Sequence, residues 1–166
     1  MTDIDKNCFC GNKLTFERCC QPIINGEVDA INAEELMRSR FTAYVVKNYH
    51  YILQTYVSDK RTKLTISKLL DSAQDTQWLS LKVLAHHSQK NTAQVEFKAY
   101  YQIHNVYYVM HELSGFIFES GKWVYNSGAI KKGSGVFIPE RNSQCLCCSG
   151  KKFKKCCGFK SITNMV

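Results

Sequence analysis

All nine cysteines of this chain lie in two clusters, one near each end, and residues 21–144 between them contain none. The two clusters are copies of one motif, related by an offset of 137 residues. Both copies read C-x-C-x8-C-C, and an aromatic residue (Phe16 or Phe153) precedes the closing pair by three positions. The motif cysteines are Cys8, Cys10, Cys19 and Cys20 in the first copy and Cys145, Cys147, Cys156 and Cys157 in the second.

The spacing of this motif is typical of a tetrahedral thiolate site. Two cysteines at i and i+2 of an extended segment point to the same side. The eight residues that follow allow a reversal and a helical turn, after which the closing pair supplies two more sulfurs. Four thiolates suit Zn²⁺, and structural zinc contributes about 10–16 kcal/mol to the folding of small peptides. We therefore predict two structural Zn²⁺ sites, each closed because all four ligand positions are filled.

Other uses of clustered cysteines remain open at this point. Disulfides are typical of exported proteins, a redox pair would favour C-x-x-C within a βαβ unit, and four cysteines also bind iron–sulfur clusters. The ninth cysteine, Cys148, has no counterpart in the first copy, where Gly11 stands. We interpret it as a thiol outside the metal site, with ligand exchange or oxidation as alternatives.

Composition indicates one packed domain between the two cysteine modules. The chain has 166 residues, of which 45% are hydrophobic, and no apolar run approaches the about 20 residues needed to cross a bilayer. Residues 1–7 lack the basic start and apolar stretch of a secretory leader. We expect a cytoplasmic protein with an N-terminal zinc module (1–25), a middle domain (26–138) and a C-terminal zinc module with a basic tail (139–166).

Hydrophobic periodicity predicts helices followed by strands in the middle domain. Helical spacing begins after a capping-box pair, Asn32 and Glu35, continues in a second helix from Tyr49, and resumes in a third that Thr65 can cap. Beyond Gln77 the period changes to two, and the clearest alternation spans 93–103. Further strands are predicted over 78–87, 107–119 (with Gly115 as a bulge or bend) and 122–125. Helices followed by antiparallel strands indicate an α+β fold.

A sheet wrapped on helices can leave a pocket at its open end. Its candidate polar lining residues are Arg38, Arg40, His86, His87, His104, His111 and Glu112. Of these we select Arg38, His111 and Glu112 as the possible pocket. Arg38 and Arg40 cannot face the same way, and the two neighbours on one strand cannot both point inward. Catalysis needs an acid or base within hydrogen-bond reach of a substrate, which a sequence alone does not show, so we assign no catalytic residue. We expect a non-enzymatic protein, and keep as the alternative an enzyme or small-molecule binder that uses this pocket.

Positive charge is concentrated in the C-terminal module. Residues 141–166 hold six basic side chains and no acidic one, whereas residues 1–20 hold three of each. A Zn²⁺ ion with four thiolates carries a charge of −2, so the C-terminal module keeps a surplus of positive charge. We predict that Lys151, Lys152, Lys154 and Lys155 bind phosphate groups or an acidic protein surface. Few aromatic residues are available there for stacking on bases, and sequence-specific nucleic-acid binding is not expected.

The second cysteine motif, Cys145 to Gly158, resembles the SEC-C motif, a zinc-binding segment first noted at the C-terminus of the translocase motor SecA. The first copy keeps the cysteines and Gly11 but lacks the motif's Gly-Lys-Lys. The segments 36–44, 111–112 and 121–125 look like the YchJ family of bacterial proteins. That resemblance implies a nuclear transport factor 2-like cone of helices and curled antiparallel sheet between two SEC-C motifs. It also implies contacts with proteins, including the chaperone SecB, or with ribosomes.

Overall fold

The chain folds into short helices followed by an antiparallel sheet, as the change in hydrophobic period predicts. A computed structural model describes residues 7–159. The helices are α1 (Cys20–Ile24), α2 (Ala33–Val45), α3 (Tyr49–Gln54), α4 (Ser58–Arg61) and α5 (Ile66–Ala73), and the strands are β1 (Gln77–Gln89), β2 (Thr92–Ile103), β3 (Val106–Glu119), β4 (Lys122–Ile130) and β5 (Gly135–Val136). Two 3-10 turns, Phe16–Arg18 and Phe153–Lys155, lie within the cysteine motifs.

Side-chain caps fix the starts of the principal helices. Asn32 Oδ1 accepts the Glu35 backbone N–H at 2.9 Å, while the Glu35 carboxylate accepts the Ile31 N–H at 2.8 Å. This reciprocal pair confirms the predicted start of α2. Thr65 caps α5 as predicted, by accepting the Lys68 N–H at 3.3 Å.

The sheet is a meander in the order β1-β2-β3-β4, with β5 added to β3. All of its strand pairs are antiparallel. Register shifts interrupt β1 twice. A further shift lies opposite Gly115 and Phe116, where the extra, unpaired residue is Asn126 of β4. The pairing of β3 with β2 is unbroken through Gly115, so the bulge is in β4 and not at the position predicted in β3. Bulges bend strands and increase their twist, so the sheet curls and its concave face packs against α2.

The core lies between this concave face and the helices. Strand β2 follows the predicted alternation, because Ala93, Val95, Phe97 and Ala99 are all buried. Helix α2 supplies Leu36, Met37, Phe41 and Ala43 from the other side. The α+β fold with a curled antiparallel sheet is thus confirmed.

Three features go beyond the sequence predictions. Helix α4 and strand β5 were not predicted, and β4 continues to Ile130 instead of ending at Tyr125. The second half of β4 reads Asn126-Ser127-Gly128, which favours a turn, yet it pairs with β3 from Glu112 to Gly115. The ladder hydrogen bonds outweigh the local turn preference. No helix within residues 7–159 is long and apolar enough to span a membrane.

The assignment of the core predicts that two side-chain truncations differ greatly in their effect on the free energy of unfolding. Phe97 is 1% exposed and Leu84, on the neighbouring strand, is 42% exposed. We expect Phe97→Ala to lower the free energy of unfolding by about 3–5 kcal/mol, because it removes a buried ring and leaves a cavity. Leu84→Ala is the matched control and should cost less than about 1 kcal/mol. Urea unfolding followed by circular dichroism measures both; equal losses would contradict this core.

Candidate metal centres

The four cysteines of the first motif converge at one point. All of their Sγ atoms lie within 4.8 Å of one another. Cys10 Sγ is 3.7 Å from Cys19 Sγ, which is 3.9 Å from Cys20 Sγ. The first pair of cysteines and the closing pair thus approach one another from two different segments, as the spacing predicts.

A very small hairpin and a helical turn produce this convergence. The Cys8 N–H donates to the Leu14 carbonyl at 2.7 Å, and Asn7 bridges to Thr15. The chain then forms the Phe16–Arg18 turn, and α1 begins at Cys20. The reversal and the helical turn expected between the two cysteine pairs are both present.

The second motif repeats this backbone at the same offset of 137 residues. The Cys145 N–H donates to the Lys151 carbonyl at 2.8 Å, Gln144 bridges to Lys152, and the Phe153–Lys155 turn precedes the closing pair. Its four Sγ atoms also lie within 4.8 Å of one another. Cys147 Sγ is 3.4 Å from both Cys145 Sγ and Cys156 Sγ. The sequence repeat is therefore a structural repeat.

Both quartets fit a tetrahedral metal ion. Zn–S bonds of about 2.3 Å place the sulfurs of a tetrahedron about 3.8 Å apart, and the measured separations run from 3.4 to 3.9 Å. A disulfide would need about 2.05 Å, and all nine cysteines are free thiols. The eight predicted ligands can thus hold two metal ions, whereas disulfides do not fit this arrangement.

The electrostatics of the first quartet favour a bound cation. Burial and the nearby Cys10 thiolate raise the pKa of Cys19 to about 12. A hydrogen bond from Cys10 lowers the pKa of Cys8 to about 2, despite its burial. Neighbouring thiols can therefore stabilise one thiolate. Ionisation of a second thiol is opposed by its burial and by repulsion from the first thiolate. A divalent cation removes that penalty, which is why metal binding to such sites releases protons.

The first centre is built into the protein core. Cys8, Cys10 and Cys20 are each at most 3% exposed and belong to the same buried cluster as α2. Arg38 Nη1 donates to the Cys10 carbonyl at 2.8 Å, and Arg38 is held in place by an ion pair with Glu34 at 2.8 Å. Arg38 therefore fastens the N-terminal module to α2 and does not line the central cavity. This corrects its prediction as a pocket residue.

The second centre lies at the surface. Cys145 is buried, but Cys147 is exposed and the closing pair is half-buried. The module rests on the sheet through the ring of Phe153, whose centroid lies 5.7 Å from that of Tyr107 in β3. The predicted partner-binding lysines, Lys151, Lys152, Lys154 and Lys155, are all exposed.

Cys148 is not part of the second quartet. It occupies the left-handed region with φ of 57°, where its counterpart Gly11 has φ of 82°. Glycine adopts this conformation readily, whereas other residues are strained in it. Its sulfur lies 4.0 Å from the Leu79 carbonyl of β1. The residue is a substitution at the turn glycine of the motif.

His111 and Glu112 point to opposite faces of β3, as predicted. His111 Nε2 lies 2.7 Å from Glu96 Oε1, which also accepts from Lys131 at 3.0 Å. This outer-face cluster ties β2 and β3 to the residues after β4. Glu112 is buried and lines the central cavity, so of the three predicted pocket residues the structure places only this one there.

Arg40 was a candidate in the sequence analysis but was passed over in favour of Arg38, and it lines the cavity. It is 4% exposed and shares the cavity with Glu112. A signal was available in the sequence: Arg40 lies three residues after Met37 and four before Tyr44, on the apolar face of α2. Arg38 lies two residues away and so faces elsewhere.

Comparisons with known proteins agree with this architecture. The chain matches the family described as YchJ, middle NTF2-like domain, over residues 32–128, and the SEC-C motif over residues 141–159. It is 38% identical over 165 residues to a UPF0225 protein of Shewanella sp. strain MR-4, covering 92% of this chain and 96% of that one. A UPF0225 protein of Actinobacillus succinogenes is 35% identical over 153 residues, covering 91% and 96% respectively.

Two solved structures share the fold. The solution structure of a SEC-C motif containing protein from Rhodopseudomonas palustris has a TM-score of 0.73 and 29% identity, covering 76% of this chain and 100% of that one. The crystal structure of a SEC-C motif containing protein from Psychrobacter arcticus has a TM-score of 0.66 and 31% identity, covering 93% and 96%. Fold and motif thus define a SEC-C motif protein with a nuclear transport factor 2-like middle domain. The chain belongs to the YchJ family, also named UPF0225.

The cysteine assignments predict different results for adjacent residues. We expect Cys147→Ser to lower the bound metal from two ions per chain to one, because it removes a ligand. Cys148→Gly should keep two ions, because Cys148 is outside the quartet and glycine adopts its left-handed backbone conformation without strain. Elemental analysis measures these outcomes. Loss of metal from Cys148→Gly would contradict the assigned ligand set.

The two centres should contribute unequally to stability. We expect Cys10→Ser to lower the melting temperature of the middle domain by about 6–12 °C, the equivalent of about 3 kcal/mol, because this centre is part of the core. Its counterpart, Cys147→Ser, should change that transition by less than about 3 °C. Thermal unfolding followed by near-ultraviolet circular dichroism compares the two variants. Equal shifts would show that the two modules support the middle domain alike.

Proposed function

We propose that this protein is a non-enzymatic zinc-binding accessory protein whose C-terminal SEC-C module contacts an acidic protein surface. In this proposal the N-terminal module is structural, and the C-terminal module presents its lysines to the partner. Zn²⁺ is the proposed ion because two closed four-cysteine sites suit its tetrahedral, redox-inactive chemistry. When bound, Zn²⁺ supplies a fixed link between the two segments of each module.

The observation that carries this proposal is the difference between two copies of one motif. We call Lys151, Lys152, Lys154 and Lys155 the basic surface. Its four lysines are exposed, and residues 141–159 contain no acidic side chain. The N-terminal copy has Leu14 and Thr15 at the positions of Lys151 and Lys152.

The basic surface exceeds what the metal centre needs for neutrality. A Zn²⁺ ion with four thiolates has a charge of −2, and two lysines balance it. None of the four lysines has an ion-pair partner within residues 7–159. Held on one short module, they form a positive patch that attracts acidic surfaces and loses affinity as salt screens it.

Charge reversal tests this function. We expect the full-length, zinc-loaded protein to bind a poly-L-glutamate peptide, and the four changes Lys151→Glu, Lys152→Glu, Lys154→Glu and Lys155→Glu together to abolish binding. The affinity should fall steeply between about 50 and 200 mM salt. Fluorescence anisotropy measures binding, and metal analysis with circular dichroism verifies that the variant is folded.

The matched control reverses four exposed lysines elsewhere, with the same change in net charge. These are Lys63, Lys68, Lys82 and Lys90. The control should keep most of the affinity, because the basic surface is intact. Equal loss in both variants would show that net charge alone attracts the peptide, and would contradict a docking role. Co-sedimentation of both variants with purified ribosomes tests the ribosome as the partner in the same way.

A further inference from the structure

A cavity of about 250 Å³ lies between the concave face of the sheet and helix α2. Its walls are mainly aromatic rings and methionines: Met37, Phe41, Tyr44, Tyr56, Trp78, Phe97, Met110 and Tyr125. Two residues of opposite charge, Arg40 and Glu112, also line it. A cavity with apolar walls and a few convergent polar groups is typical of a small-molecule site.

The two charges in this cavity do not pair with each other. Within residues 7–159, no ion pair joins Arg40 to Glu112. Tyr125 contacts both instead: its ring centroid is 4.4 Å from the Arg40 guanidinium carbon, and its hydroxyl donates to Glu112 Oε1 at 3.2 Å. Tyr56 faces the same guanidinium carbon at 4.7 Å. Two aromatic rings thus hold the guanidinium group in place. No carboxylate within residues 7–159 pairs with its positive charge, so an anionic group of a ligand can do so.

Each charged group also has hydrogen-bonding capacity that the described protein does not use. Arg40 donates from Nη1 to the Ile52 carbonyl at 3.3 Å and to the Thr55 hydroxyl. Its Nε–Nη2 edge has no acceptor within residues 7–159. Glu112 Oε1 accepts from Ser114 at 2.6 Å and from Tyr125, whereas no donor from these residues reaches Oε2.

Trp78 adds a third unused group. Its indole Nε1 is buried and has no hydrogen-bond partner in the described chain, although its ring lines the cavity. An unpaired buried donor is destabilising, because it has lost its hydrogen bond to water without gaining another. A bound molecule with an acceptor atom would recover that free energy.

We propose that this cavity binds a small aromatic zwitterion, with a carboxylate at one end of a single ring and an ammonium group at the other. The free Nε–Nη2 edge of Arg40 is a planar pair of donors that matches a carboxylate. Glu112 Oε2 accepts from the ammonium group, and the aromatic walls pack against the ring. A zwitterion brings both charges and leaves the buried site neutral, whereas an ion of either sign would add an uncompensated charge. This site is independent of the basic surface.

The test compares three probes on the full-length, metal-loaded protein by isothermal titration calorimetry. They are 4-(aminomethyl)benzoate, which carries both charges, and benzoate and benzylamine, which each carry one. We expect the zwitterion to bind at least about tenfold more tightly than either half, because each end makes a charge-assisted hydrogen bond. Binding no tighter than that of benzoate, or no binding of any probe at about 1 mM, would overturn the proposal.

Two conservative variants test which protein group binds each end of the ligand. Glu112→Gln keeps the shape of the side chain and should reduce zwitterion affinity about tenfold, to the level of benzoate, without weakening benzoate itself. Trp78→Phe keeps an aromatic ring but removes the indole N–H, and should weaken both carboxylate probes about fivefold. Unchanged zwitterion affinity in Glu112→Gln would overturn the assignment of the ammonium end. The comparison of probes on the unmodified protein decides the proposal even where a variant fails to fold.

Discussion

Four sulfurs that meet at one point are the constraint on which each end of this molecule depends. A cysteine motif spans 13 residues, too few to bury a core of its own, since isolated segments below about 40 residues usually need metals, disulfides or oligomerisation. Each motif nevertheless forms a hairpin, a helical turn and a closing pair in the same order. Without an ion, these closely spaced thiols resist ionisation together, so a bound cation would stabilise the local fold. Metal binding and the local fold would therefore depend on each other.

The two copies of the motif have diverged in their surroundings while keeping their backbone. The first is covered by α1 and α2 and fastened by Arg38, so its sulfurs are part of the hydrophobic core. The second touches the sheet mainly through Phe153 and leaves Cys147 exposed. Its four lysines occupy the positions of Leu14, Thr15, Glu17 and Arg18 in the first copy, so only the second copy is uniformly basic there. The first copy completes the core of the domain, and the second copy presents a basic surface to solvent.

Sequence reasoning was most successful where the chemistry is local. The repeat offset, the Asn32 and Thr65 caps and the face of β2 each follow from short-range rules of spacing or backbone conformation. It was wrong where contacts between residues distant in the sequence determine the structure. The second half of β4 reads as a turn but is held by β3, and Arg40 occupies the cavity that was expected to hold Arg38, because packing selects which face of α2 is covered. The unpaired charges in the cavity become apparent only when β3 and α2 are brought together.

The most direct test of this account is native mass spectrometry of the full-length protein, purified without chelator, together with metal analysis. Two zinc ions per chain, released on denaturation to leave nine reduced cysteines, is the predicted result. A metal-free chain whose mass is lower by two hydrogens for each disulfide would contradict it, because the sulfurs would then be paired with one another.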